Sequence, residues 1–211
     1  MVVDISYLFG LIAGITALIT YSLYFRQTLK GQSTPNPSTW AIWLFVGIIN
    51  TITYFSVTNN NLWQTFVVIA VTFSVSIVFI YSLFKGKFTK VSKIEIIVFI
   101  LALAIGIFWQ ITSNDRMSNL LLQGIYAISY IPTVTGIIKG TGKEHYIAWI
   151  AAFIAYSFSI VSVATGPQVD WIAYVHPIVN GLIGNGIVIV LVLYKNSRRM
   201  GLDNVQRNKK L

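Results

Sequence analysis

Seven mostly apolar stretches recur along the chain, separated by short polar connections. They are 5–26, 38–58, 63–85, 93–113, 117–138, 146–166 and 171–194. Crossing the hydrocarbon of a bilayer takes about 20 residues of helix. The pattern therefore predicts an all-α integral membrane protein with seven transmembrane helices. Polar residues inside the stretches keep helical spacing. Trp43, Gly47, Asn50 and Tyr54 share one face of the second, and Gln123, Tyr126, Tyr130 and Thr133 one face of the fifth. The first stretch follows Asp4 instead of basic residues and precedes Arg26 and Lys30, so it reads as a retained span and not a cleaved leader.

The polar connections carry a second pattern. Residues 27–43 read QTLKGQSTPNPSTWAIW, and residues 133–149 read TVTGIIKGTGKEHYIAW. Each follows a Tyr (Tyr24, Tyr130), passes a Lys- and Thr-containing loop and ends on a Trp. An offset of about 106 residues implies an internal duplication. The fourth stretch has no counterpart. The expected organisation is two parallel three-helix repeats, 1–88 and 116–196, joined by a linker helix, 89–115, with a basic tail, 197–211.

Composition agrees: 55% of the 211 residues are hydrophobic and 10% charged, against about 25% charged in soluble domains. Mean hydropathy is +0.73. Net charge is +9, and its placement decides its meaning. Apart from Arg116, every Lys and Arg lies in an odd-numbered connection or in the tail from Lys195. Basic flanks stay cytoplasmic, so the N-terminus is expected outside and the C-terminus inside. Loops lying against anionic headgroups account for the charge without nucleic acid. The expected location is a bacterial inner (plasma) membrane, crossed several times. The chain has no cysteine, which excludes thiolate chemistry and disulfides.

No Asp, Glu, Lys or Arg falls in the middle of a stretch, which argues against an intramembrane ion pair, a Schiff-base lysine or obligatory proton coupling. Neutral polar residues remain, and at membrane depth they are expected to face the bundle interior. Asn50 and Asn180 stand out, because an unmet amide is costly in lipid. Tyr54, Tyr126, Tyr156 and His176 complete a candidate pocket. Trp40, Trp63, Trp149 and Trp171 read more simply as interfacial anchors. Pro132 and Pro177 interrupt their helices, and the run GLIGNG after Pro177 serves close packing or bending. No catalytic constellation, metal-ligand cluster or cofactor motif is visible, so no enzyme activity, metal or cofactor is expected.

The layout resembles the PQ-loop and SWEET superfamily of sugar, cationic amino-acid and other small-solute carriers. Those families place Pro-Gln at the end of the first and fifth helices, then a loop with Lys and Ser/Thr, then a Trp. Here the first copy is Arg26-Gln27, keeping the Gln, and the second is Pro132-Thr133, keeping the Pro. Trp43 and Trp149 hold the Trp position. The resemblance implies a pocket Asn on the third helix of each repeat, matched by Asn180 and, approximately, by Thr72. Gln27, Pro132 and Thr133 are then the expected cytoplasmic gate or hinge, and Pro177, which breaks the seventh stretch near its outer end, is a further hinge candidate.

The resulting expectation is a carrier or facilitator for a small neutral or polar solute (sugar, amino acid or vitamin-like) working by alternating access. Its partners are the solute and the bilayer, with self-association left open. A seven-helix sensor that binds without transporting is the alternative.

Overall fold

The computed structural model describes residues 4–85, 91–166 and 170–208, with side-chain surroundings given as far as Arg198. The expected boundary at 88/89 and the charges of Lys87, Lys90, Lys209 and Lys210 lie outside the described residues. Within them are seven helices long and apolar enough to cross a membrane, and no strands. Six are continuous: α1 (Ile5–Leu29), α2 (Pro37–Val57), α3 (Leu62–Lys85), α4 (Lys93–Thr112), α5 (Asp115–Lys139) and α6 (Tyr146–Thr165). The seventh span, Ile172–Arg198, is composite. It joins α7 (Ile172–His176), a π-helical segment (Pro177–Gly184) and α8 (Asn185–Asn208). The protein is thus an all-helical, multi-pass membrane protein.

Local chemistry sets the ends. Asp4 and Asn36 accept from backbone N–H groups two residues on, capping α1 and α2. Pro37 opens α2, where its missing N–H costs nothing. Ser92 and Glu95 form a reciprocal capping box on α4. Gly140, at φ +74°, closes α5 in the left-handed conformation that glycine tolerates.

The spans pack in a ring. α3 lies between α1 and α2, and the seventh span lies between α5 and α6. α1 meets α6 and α2 meets α5, which closes the circle. α4 stands outside, against α2 and α5. Only 17% of its apolar window is buried, against at least 33% in every other span. Large apolar side chains such as Phe73, Ile77 and Ile80 remain exposed, as expected of a lipid-facing surface, with backbone polar groups satisfied inside the helices. At one end of the ring lie Arg26, Lys30, Lys139, Lys143 and Lys195; it is called the basic end below. The other carries Asp4, Asp115, Arg116 and Asp170, the far end.

Candidate functional site

The basic half of the ring contains a cavity walled by α1, α2, α3, α5, α6 and the seventh span. About 720 Å³ of space lies between its walls, open mouth included. Water-sized spheres centre within about 60 Å³ of it, room for several waters or one compact solute. Among the described residues no charged side chain lines it.

Five lining rings touch in a closed circuit. Centroid distances are 5.1 Å for Tyr24–Trp40, 5.1 Å for Trp40–Trp43, 5.8 Å for Trp43–Tyr130, 6.3 Å for Tyr130–Trp149 and 6.5 Å for Trp149–Tyr24. These rings come from α1, α2, α5 and α6, so the collar bridges both seams of the ring of helices. It sits toward the basic end of the cavity. Its indoles are oriented by hydrogen bonds: Trp43 Nε1 donates to Ser129 Oγ at 2.8 Å and Trp149 Nε1 to Glu144 Oε2 at 3.1 Å. The two tryptophans thereby gain fixed orientations, consistent with their plain role as large apolar surfaces with one polar handle.

Deeper in, Asn180 occupies the π-helical segment. A π turn displaces backbone carbonyls from their usual partners, and side chains collect them. Tyr130 Oη donates to the Asn180 carbonyl and to its Oδ1, both at 3.0 Å. Asn185 Nδ2 donates to the carbonyls of Asn180, at 3.0 Å, and Gly181, at 2.7 Å. Asn180 Nδ2 donates to Tyr156 Oη at 2.9 Å. Gly181 and Gly184 face the rings of Tyr156 and Tyr130 with no space for a side chain. Across the cavity, Thr72 Oγ1 lies 2.9 Å from Thr51 Oγ1 and donates to the Gly47 carbonyl at 3.2 Å.

The far half is closed by two polar clusters, one at each seam. At α1 and α6, Ser6 and Ser162 exchange hydroxyl-to-carbonyl bonds of 2.7 Å each, and Gln64 of α3 adds a bond to Ser6 Oγ at 3.2 Å. At α2 and α5, Asn119 Nδ2 donates to Asn50 Oδ1 at 3.0 Å and Gln123 Nε2 to the same oxygen at 3.1 Å. His176 Nδ1 lies 3.0 Å from Gln123 Oε1; an amide oxygen only accepts, so Nδ1 carries the proton. Asn50 Nδ2 and His176 Nε2 are buried without partners. Tyr54 Oη donates to the Ala173 carbonyl at 2.8 Å, tying α2 to α7.

Of the residues singled out from sequence, Thr72, Tyr126, Tyr156 and Asn180 line the cavity. Asn50, Tyr54 and His176 do not; they are buried in the far-half clusters. Gln27 is buried at the basic end, its Nε2 3.3 Å from His145 Nδ1 across the α1–α6 seam. Pro132 and Thr133 are half-buried in α5 and do not line the cavity. Pro177 opens the π-helical segment. Comparisons with protein-family models, with curated proteins and with solved structures return no match.

Four residues escaped sequence reasoning. Asn119 stands four positions before Gln123 on the same helical face, a signal available from spacing. Glu95 follows Ser92 by three, the capping-box interval, but its further partners were not readable. It is buried and accepts from Asn36 Nδ2 at 3.1 Å, Ser38 Oγ at 2.8 Å, Thr39 Oγ1 at 3.1 Å and Ser92 N at 2.8 Å. Glu144 and His145 stand in the second loop run, TVTGIIKGTGKEHYIAW, with no spacing that marks them. Glu144 is half-buried, facing Trp149, Tyr24 and Ser33, and burial pushes its carboxyl up to about 8.

Proposed function

We propose that this protein is a carrier or facilitator that moves a small, neutral or polar solute across a membrane by alternating access. The observation that carries the reading is one cavity, collared by aromatic rings at the basic end and sealed by hydrogen-bonded clusters at the far end. A path interrupted unequally on its two sides is what alternating access requires. The basic end is read as cytoplasmic, with the N-terminus outside.

Packing supports two equivalent triplets. Exchanging α1 with α5, α2 with α6 and α3 with the seventh span maps the observed neighbours onto one another. Tyr24 and Tyr130, and likewise Trp43 and Trp149, are separated by the repeat offset and meet in one collar. This accords with the parallel-repeat plan of PQ-loop and SWEET-type carriers. The two triplets would rock about the cavity, the π-helical segment supplying compliance in the seventh span. An uncharged, ring-lined pocket suits a solute with a flat or apolar face and a few hydroxyl or amide groups.

The test begins with a thermal-shift panel of neutral sugars, amino acids and heterocyclic vitamins on purified protein. Uptake of each hit is then measured in proteoliposomes. Asn180→Ala, which removes the amide shared by Tyr130 and Tyr156, is expected to lower uptake at least tenfold, equivalent to about 1.4 kcal/mol of lost interaction. Binding without flux would replace the carrier by a sensor; undiminished flux in Asn180→Ala would reject the pocket assignment.

A further inference from the structure

We infer that Glu144 is a proton-binding residue that holds the collar closed when neutral and releases it when ionised. The inference rests on reading the collar as the gate of a carrier.

Two glutamates stand at the basic end, one at each seam, and their surroundings differ. Glu95, at the α2 side, accepts from four donors on two elements. That environment suits a permanent anion and fastens α4 to the start of α2. Glu144, at the α1–α6 seam, receives one bond within the standard range, from Trp149 Nε1. Tyr24 and Ser33 also face it. Trp149 and Tyr24 are two of the five collar rings, and they are the pair that bridges α1 and α6. Glu144 therefore sits behind the collar, touching it where it must part.

Among the described residues no cation is paired with this carboxyl. The one ion pair among the described residues, Arg116–Asp170, lies at the far end. Arg26, Lys30, Lys139 and Lys143 are exposed at the basic end, and Lys195 donates to the Ile137 carbonyl. Lys143 accepts from Thr34 N through its backbone carbonyl. The His145 ring meets Gln27 and stacks on Tyr146 at 4.9 Å. A half-buried carboxylate set against two rings and a hydroxyl, with no counter-charge among the described residues, is disfavoured as an anion, and two escapes exist. It takes a proton and stays, or it stays ionised and the rings separate to admit water.

The direction with pH follows. With the collar closed the carboxyl titrates at about 8, against 4.5 in its ordinary, solvated state. The closed form therefore binds the proton more tightly. Its advantage is complete below 4.5, erodes between 4.5 and 8, and is gone above 8. Opening to the basic side releases one proton to that side; closing takes one up.

The cysteine-free chain allows a direct test. Ala152 lines the cavity, so Ala152→Cys places a single thiol behind the collar. In lipid nanodiscs, its rate of modification by a charged, membrane-impermeant maleimide is measured against pH. Each rate is divided by that of the same thiol in a Glu144→Gln background, which cancels the ionisation of the thiol itself. The ratio is expected to climb by up to about tenfold per pH unit below about pH 8 and to level off above it. A ratio independent of pH at a reachable thiol overturns this inference and leaves the carrier reading standing. A thiol unreachable at every pH overturns both. Trp149→Phe supplies a second readout that does not need Glu144→Gln to fold. It removes the bond that favours the anion, so the midpoint should move to higher pH; an unmoved midpoint counts against Glu144.

Discussion

Gly181→Ala is expected to destabilise the protein and to disable its cavity together. A Cβ built at Gly181 falls well inside contact distance of Tyr156 Cβ and Cγ, the root of that side chain and not its free end. Tyr156 cannot swing aside cheaply, because its hydroxyl accepts from Asn180 Nδ2 and its ring lies 5.6 Å from that of His176. The added methyl must push the π-helical segment away from α6. Overpacking of this kind costs about 1–3 kcal/mol, or a fall of roughly 2–10 °C in Tm for a chain of this size. Asn180 moves with the segment, so uptake of any identified solute should drop in the variant as well. Gly186→Ala is the control, because the nearest neighbour of a Cβ there is Phe153 at 3.8 Å, an ordinary contact. That substitution replaces glycine inside an α-helix and should be neutral or mildly stabilising. Equal melting of the two variants, followed by circular dichroism, would show that the π-helical segment is not held tightly against Tyr156.

Glu95→Ala is expected to loosen α4. The carboxylate gathers donors from Asn36, Ser38 and Thr39 at the start of α2 and from the backbone of Ser92. α4 has few other holds among the described residues, where it packs on α2 and α5 from outside the ring. Hydrogen bonds to charged groups are worth about 1.5–3 kcal/mol each, and truncation strands several donors at once. A loss of about 3 kcal/mol, visible as a Tm lowered by roughly 10 °C, is the expected scale. Glu95→Gln keeps one accepting oxygen for the α2 donors but turns an N–H₂ toward the Ser92 N–H. It should fall between wild type and Glu95→Ala. A Glu95→Ala protein that melts like the wild type would show that α4 is held by apolar contact alone.

The placement of side chains shows where reading along the chain reached its end. Trp40 and Trp149 read as interfacial anchors, because position near the end of a span was the information at hand. Trp40 meets Trp43 one turn on in its own helix, but its contact with Tyr24 of α1 and those of Trp149 with Tyr24 and Tyr130 join different helices, and no spacing within one helix encodes them. Asn50 and His176 read as pocket residues, on the sound argument that a polar group at depth must face inward. Inward proved to include two destinations, the cavity and the sealed far-half clusters. Which one each residue reaches depends on the rotation of its helix against its neighbours. Glu95 and Glu144 were not singled out along the chain, although Glu95 stands at the capping-box interval from Ser92. Their surroundings come from other elements: Asn36, Ser38 and Thr39 around Glu95, and Tyr24 and Ser33 beside Glu144. The run after Pro177 signalled a break, and the structure makes it a π-helical segment whose carbonyls Tyr130 and Asn185 collect.

What the chain determined by itself is the membrane-spanning class, the number of spans and their limits to within a few residues. Those properties are local: a helix must satisfy its own backbone in lipid, and hydropathy over about 20 residues decides whether it crosses. The order of helices around the ring, the closed aromatic circuit and the division of polar residues between cavity and seal were decided by tertiary packing. They depend on which faces meet across helices far apart in sequence. In a bilayer, apolar faces carry little preference for one neighbour over another, so small residues and buried hydrogen bonds make that choice in three dimensions.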